Sequence, residues 1–313
     1  MVTESNPIGY FEFNKVPAGS WEIHEIAPPK AFVLNEESFP AEITEDGETI
    51  EITIQNQIIR GTVETTKADA DYPENKLTGA LFEVYADVDS NGEFNPDIDL
   101  LAGELAESDP GHYQLKDLVY GGYFLHEQKA PEFFEKDDGY YPFSITENGA
   151  VVRVETKAGA GFLNQAQTGT LKIVKTADDD KIADRKFLVT GTAYAGGEYE
   201  QEFQTDEKGE ISVTLRVGKY TVSELPGEDA AAYELPSGQT VEIKAGETVT
   251  VAMHNRLIRK RSPRPGICLA SLDHRSAAVL SLGGLGLLLA CGEERNDKTR
   301  EERKRKWIPK PSY

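Results

Sequence analysis

Three residue types that can react with one another recur along this sequence at matching places. A lysine, a glutamate and an asparagine each close a short run of alternating apolar residues: Lys67, Glu127 and Asn164, then Lys175, Glu224 and Asn255. An earlier set keeps only Glu25 and Asn56. Side chains two apart on a strand share a face, so each polar residue is in register with core-facing neighbours. Leu171 and Ile173 lead to Lys175, Tyr220 and Val222 to Glu224, and Val251 and Met253 to Asn255. Val63 is likewise in register with Lys67, Leu125 with Glu127, Phe162 with Asn164, Ile23 with Glu25 and Ile54 with Asn56.

Lys and Glu are almost never fully buried unless paired. Buried together with Asn, they have a specific chemistry. Desolvation leaves Lys a neutral, nucleophilic amine and Glu a protonated acid. The acid can then polarise the Asn carboxamide and relay a proton to departing ammonia. The product is a Lys–Asn amide that constrains the unfolded chain as a long-loop disulfide does. It forms once per site, so self-crosslinking is expected and enzymatic turnover is not. Glu127 and Glu224 are the promoting acids, Lys67–Asn164 and Lys175–Asn255 the crosslinks, and Glu25 with Asn56 an incomplete triad.

The elements that must position these residues also repeat. Gly9–Glu25, Gly111–Glu127 and Gly209–Glu224 each read as a strand, a tight turn carrying Gly and a second strand ending in Glu, a hairpin signature. Some 31 to 37 residues after each Glu, a short β-run ends in Asn56, Asn164 or Asn255. New strands containing Lys67 and Lys175 begin soon after the first two. Spacing of roughly 100 residues means tandem domains of ordinary size. The expected domains are 1–58 (incomplete), 59–167 and 168–257, joined by linkers short enough for a semi-rigid rod. Residues 258–313 are a separate tail.

Composition narrows the function. Residues 1–257 hold 48 of the 54 acidic residues and 20 of the 33 Lys and Arg, whereas the tail is net basic. A body this acidic repels nucleic acid, so no nucleic-acid partner is expected. Both cysteines, Cys268 and Cys291, lie in the tail, which excludes disulfides and thiolate metal sites from the body. The run Asp87–Asp99 resembles a calcium loop, with Asp87, Asp89, Asn91 and Glu93 as candidate ligands and Gly92 at the turn. Its twelfth position is Ile98 where such a loop wants Glu, so Asp97 or Asp99 would have to substitute. The alternative is a solvated acidic hairpin loop, and no other cofactor is implied. The five histidines show no metal-ligand or triad spacing, and His24 and His126 are expected to point outward.

At these residues the chain resembles the B-type repeat domains of collagen adhesins (Cna-B) and the SpaA-like domains of Gram-positive pilins and surface adhesins. The carriers are the opening strands TVETTKADA and TLKIVKT, KLTGALFEVY at 76–85, GYFLHEQKAP at 122–131, and the closing FLNQ and MHNRL. The resemblance implies an all-β chain of tandem transthyretin-like (prealbumin-like) or inverse-immunoglobulin β-sandwiches with autocatalytic Lys–Glu–Asn isopeptide bonds. It further implies an extracellular, cell-wall location, sortase linkage to peptidoglycan in an intact parent protein, and a host or extracellular-matrix ligand bound through a region preceding Met1. Two departures stand out. The first module has no Lys upstream of Glu25 at the required spacing, and Asp184-Arg185-Lys186 replaces the small residues usual before Phe187. In the tail, the apolar stretch 276–291 is short for a transmembrane span. No intact sortase motif precedes it, so anchoring through it is in doubt. The reading is therefore the structural stalk of a cell-surface adhesin or pilin-like protein. The alternative is an accessory, carbohydrate-binding β-sandwich of a secreted enzyme, which would display aromatics on one exposed face.

Overall fold

The computed structural model describes residues 1–258. The apolar stretch 276–291, the basic tail and both cysteines lie outside the described residues. Among those described, no helix is long and apolar enough to cross a membrane.

Strands dominate, as the period-two alternation of Val, Ile, Thr and Tyr requires. In the first segment only β1 (Gly19–Ile23) and β2 (Phe39–Ile43) pair, antiparallel. Nothing in residues 1–58 is buried, and Trp21 stays 40% exposed. The expected β-run 50–56 forms no ladder, because no Lys-bearing strand lies beside it among the described residues.

Residues 60–164 build a complete sandwich. One sheet holds β3 (Arg60–Asp69), flanked by β7 (His112–Val119) on one side and, in parallel, β10 (Val151–Arg153) and β11 (Phe162–Asn164) on the other, with β6 (Ala106–Asp109) outside β7. The facing sheet runs β5-β4-β8-β9, from β4 (Leu81–Ala86), β5 (Leu100–Glu104), β8 (Gly121–Lys129) and β9 (Tyr140–Ile145). Val63, Phe82, Val84, Leu125, Ile145 and Phe162 fill the space between them.

Residues 168–257 repeat the plan. The sheet β15-β12-β19-β17 comprises β12 (Thr168–Ala177), β15 (Glu210–Arg216), β17 (Tyr233–Glu234) and β19 (Thr248–Leu257). It faces β14-β13-β16-β18, from β13 (Lys186–Ala193), β14 (Glu198–Gln204), β16 (Gly218–Glu224) and β18 (Gln239–Ile243). Leu171, Ile173, Phe187, Val222, Val251 and Met253 are its core. Phe187 is fully buried despite its charged neighbours, and Arg185 is held by both carboxylate oxygens of Asp229 at 2.6 and 2.9 Å.

The expected hairpins are not hairpins. β7 pairs with β3 and β6, whereas β8 pairs with β4 and β9; β15 and β16 divide between sheets in the same way. The short connection carries the chain across the core instead of folding it back in one sheet. Each corner is tied by a tyrosine: Tyr123 Oη donates to Val119 O at 2.7 Å and Tyr220 Oη to Arg216 O at 2.8 Å. Local sequence around a tight turn is the same for both arrangements. Only the inward apolar positions of both strands, facing each other across the sandwich, tell them apart.

Candidate functional site

The fold brings Lys and Asn together on neighbouring strands and delivers Glu from across the core. In the parallel register Lys67 lies opposite Phe162 and Asn164 opposite Asp69, so Asn sits two residues beyond the partner of Lys. The third segment keeps that offset, with Lys175 opposite Met253 and Asn255 opposite Ala177. An offset of two keeps both side chains on one face. Glu127 pairs with Phe82 and Glu224 with Phe187 in the facing sheets, which aims both carboxyls inward at equivalent points. The backbone N–H of each lysine donates at 2.8 Å to the carbonyl of Gly111 or Gly209, turn residues at positive φ.

Lys67 and Glu127 are wholly buried and Asn164 almost so. Lys67 Nζ lies 3.0 Å from Glu127 Oε1 and donates to Asn164 Oδ1. Asn164 Nδ2 donates to both oxygens of Glu127, at 3.0 and 2.8 Å. Glu127 Oε2 also accepts the backbone N–H of Asp137 at 2.8 Å. The amide nitrogen therefore faces the carboxyl and the amide oxygen faces the amine, so Lys67 rather than Glu127 touches the carbonyl. Phe162 and Phe82 wall the amine, with ring centroids 4.5 and 5.9 Å away. Burial pushes the Lys67 amine down to about 8, although the Glu127 carboxylate opposes the shift. β11 can come this close because residue 161 is Gly. At φ +94°, a Cβ there would meet Thr66 O at 2.2 Å.

Lys175, Glu224 and Asn255 assemble at the same place with different contacts. Lys175 Nζ is 3.2 Å from Glu224 Oε2, and Asn255 Nδ2 donates to Glu224 Oε1 at 2.8 Å. The amine, however, donates to the carbonyls of Thr176 (3.1 Å) and Met253 (3.5 Å). Among the described residues Asn255 Oδ1 is buried with no hydrogen-bond partner, and buried Glu224 Oε2 has only the Lys175 amine near it, at 3.2 Å. Burial again lowers the lysine, against Glu224.

In the first segment Asn56 Nδ2 donates to Glu25 Oε2 at 2.6 Å and to Val33 O at 3.0 Å. Asn35 N donates to the same Glu25 oxygen at 2.7 Å. The pair is half-buried, and no hydrogen bond or ion pair joins a lysine to it among the described residues.

The repeated all-β modules match a known family. The model of the SpaA prealbumin-like fold domain matches residues 1–58, 61–160 and 169–257. The chain belongs to that family. Among solved structures, the SpaA-type modules are similar to the Bacillus anthracis TIE protein at 24% identity and a TM-score of 0.63, over 81% of this chain and 44% of that one. The chain thus spans less than half of that protein, and the likeness is one of fold. A streptococcal ancillary pilin matches at 17% identity over 78% of this chain and 77% of its own, with a TM-score of 0.28. The minor pilin of Streptococcus agalactiae matches at 16% over 66% and 100%, also at 0.28. At such TM-scores these two add nothing to the fold assignment. No curated protein matches the chain.

In the acidic loop of the second SpaA-type module, carboxylate oxygens of Asp87, Asp89 and Asp99 lie within 4.8 Å of one another. Asp99 joins this group and Glu93 does not, while Asn91 turns its amide nitrogen to Asp89 at 2.9 Å. The loop's own backbone already occupies these oxygens. Val88 and Asn95 donate to Asp99, and Asn91 and Gly92 to Asp87. His24 is exposed as expected, but His126 is buried, stacked on Tyr140 at 4.1 Å and bonded through Nδ1 to Gly139 O. Phe94 of the acidic loop stacks on the same Tyr140 at 3.7 Å. Tyr72–Lys76 is a turn, closed by Asn75 N donating to Tyr72 O at 2.8 Å.

Proposed function

We propose that the two complete modules form a structural stalk of a Gram-positive cell-surface adhesin or pilin-like protein, each locked by a Lys–Asn isopeptide bond. The observation that carries this reading is the buried contact set of Lys67, Glu127 and Asn164. A buried amine with a lowered pKa touches the amide oxygen, while the carboxyl holds the amide nitrogen that must leave. The lysine nitrogen attacks Asn164 Cγ, forming a C–N bond as the bond to Nδ2 breaks. Glu127 gives a proton to departing Nδ2 and recovers one from the attacking amine, so ammonia leaves and the carboxyl ends as it began. Lys175, Glu224 and Asn255 follow the same balance. Membership of the SpaA family supports an extracellular setting, and a body without cysteine gains from a staple that reductants cannot cut.

An accessory carbohydrate-binding module would need open aromatic faces. In the two complete modules the exposed Tyr72 lies under Arg216 and the exposed Tyr194 against Phe133, which weighs against that reading.

Pulling the chain by its ends tests the stalk. The bond would shield the 97-residue separation of Lys67 and Asn164, on the order of 330 Å of extended chain, from stretching. Wild-type protein should lack that extension and Glu127→Ala should regain it. Equal extension in both would defeat the proposal.

A further inference from the structure

We infer that the two crosslinks form in order, Lys67–Asn164 before Lys175–Asn255, and that the backbone N–H of Asp137 is the positioning group that sets this order. The inference rests on the isopeptide reading above. Crosslinking needs Glu to present one oxygen to the leaving nitrogen and the other to the attacking amine, so the orientation of its carboxyl controls the rate. In the second module that orientation is fixed from outside the triad. Asp137 N donates to Glu127 Oε2 at 2.8 Å, and the segment carrying it is itself tied down. Asp137 Oδ1 accepts Gly139 N and Oδ2 accepts Tyr141 Oη, both at 2.7 Å. The same device appears in the first module, where the residue ten positions after Glu25 is Asn35 and its N–H holds Glu25 at 2.7 Å. Ten positions after Glu224 stands Glu234, which belongs to β17 and pairs with Arg256 of β19 instead. Among the described residues Glu224 Oε2 meets only the Lys175 amine, at 3.2 Å, Asn255 Oδ1 has no hydrogen-bond partner, and Lys175 donates to backbone carbonyls. Glu224 faces both of its partners, Oε1 to Asn255 Nδ2 at 2.8 Å and Oε2 to Lys175 Nζ at 3.2 Å, but among the described residues no N–H from outside the triad holds it there. Its amine must also leave two backbone carbonyls before attack.

The test is a time course on the full chain made by cell-free synthesis. Samples are quenched in denaturant, digested, and the two crosslinked peptide pairs quantified by mass spectrometry. The Lys67–Asn164 pair should reach half-completion about fivefold sooner, the factor expected from one hydrogen bond to a neutral acid. Equal half-times, or the reverse order, would overturn the inference while leaving the crosslinks themselves standing. Absence of both pairs would overturn the isopeptide reading as well. Asp137→Ala keeps the N–H and should preserve the order. Asp137→Pro removes it and should slow Lys67–Asn164 by about fivefold without changing Lys175–Asn255. Equal slowing by Ala and Pro would show that the N–H is not the positioning group.

Discussion

At the scale of single residues, the account turns on a lysine that gives up its proton early. In an Asn164→Ala protein the Lys67–Asn164 bond cannot form and Lys67 remains titratable. Burial holds its folded-state pKa at about 8, below the 10.5 of an exposed amine, so between these values the unfolded chain binds more protons. The module's stability should therefore rise as pH increases through about 8, and be lost as pH falls back through it. Above about 10 the effect is opposed by Tyr113 and Tyr141, which burial pushes up to about 12. Melts at pH 7.5 and 9.5 should differ by up to about 2 kcal/mol in favour of the higher pH. A flat or falling profile would contradict a buried, depressed amine. The triad residues themselves were legible in the sequence, because Lys, Glu and Asn end apolar runs in phase with the core. The groups that orient them were not. The N–H of Asp137 and the carbonyls of Thr176 and Met253 are backbone atoms, which every residue type supplies alike.

At the scale of elements, the chemistry depends on β11 lying against β3 and β19 against β12. Close approach at Gly161 makes the first of these contacts specific. Gly161→Ala should push β11 from Thr66, at a cost of a few kcal/mol, and reduce the Lys67–Asn164 crosslink while sparing Lys175–Asn255. Peptide mapping would show both, and an undiminished first crosslink would contradict the dependence on this strand contact. Strand existence was readable from alternation in the second and third modules. Sheet membership was not: β7–β8 and β15–β16 read as hairpins, yet each spans two sheets, because the pairing of β3 and β12 with later strands is non-local. The run ending in Asn56 has the right alternation but no strand to pair with, so pattern alone did not make it a ladder. Burial of His126 was also hidden, since Tyr140, which stacks on it, comes from the neighbouring strand β9.

At the scale of the whole described chain, the two complete modules are joined as well as stapled. Arg216, at the end of β15, grips both oxygens of buried Asp69 at 2.7 and 2.9 Å and Asp71 at 2.6 Å, and lies over the ring of Tyr72. Val217 N donates to Gln167 O, Gln167 N to Phe133 O, and Phe133 packs on Tyr194. Asp69 is two residues from Lys67, so the clamp sits at the end of the crosslinked strand. Arg216→Ala would leave a buried carboxylate without its main partner, costing about 3–5 kcal/mol. Calorimetry should show a lower unfolding temperature for the second module, and an unchanged one would remove the clamp from the account. The short linkers pointed to a stiff junction, but a contact between residues nearly 150 positions apart left no mark in the sequence. The central claim is tested most directly by the intact mass of the full chain. Two crosslinks expel two molecules of ammonia, so the mass should lie about 34 Da below that of the sequence, with Glu127→Ala and Glu224→Ala each restoring about 17 Da. A mass equal to that of the sequence would contradict both bonds.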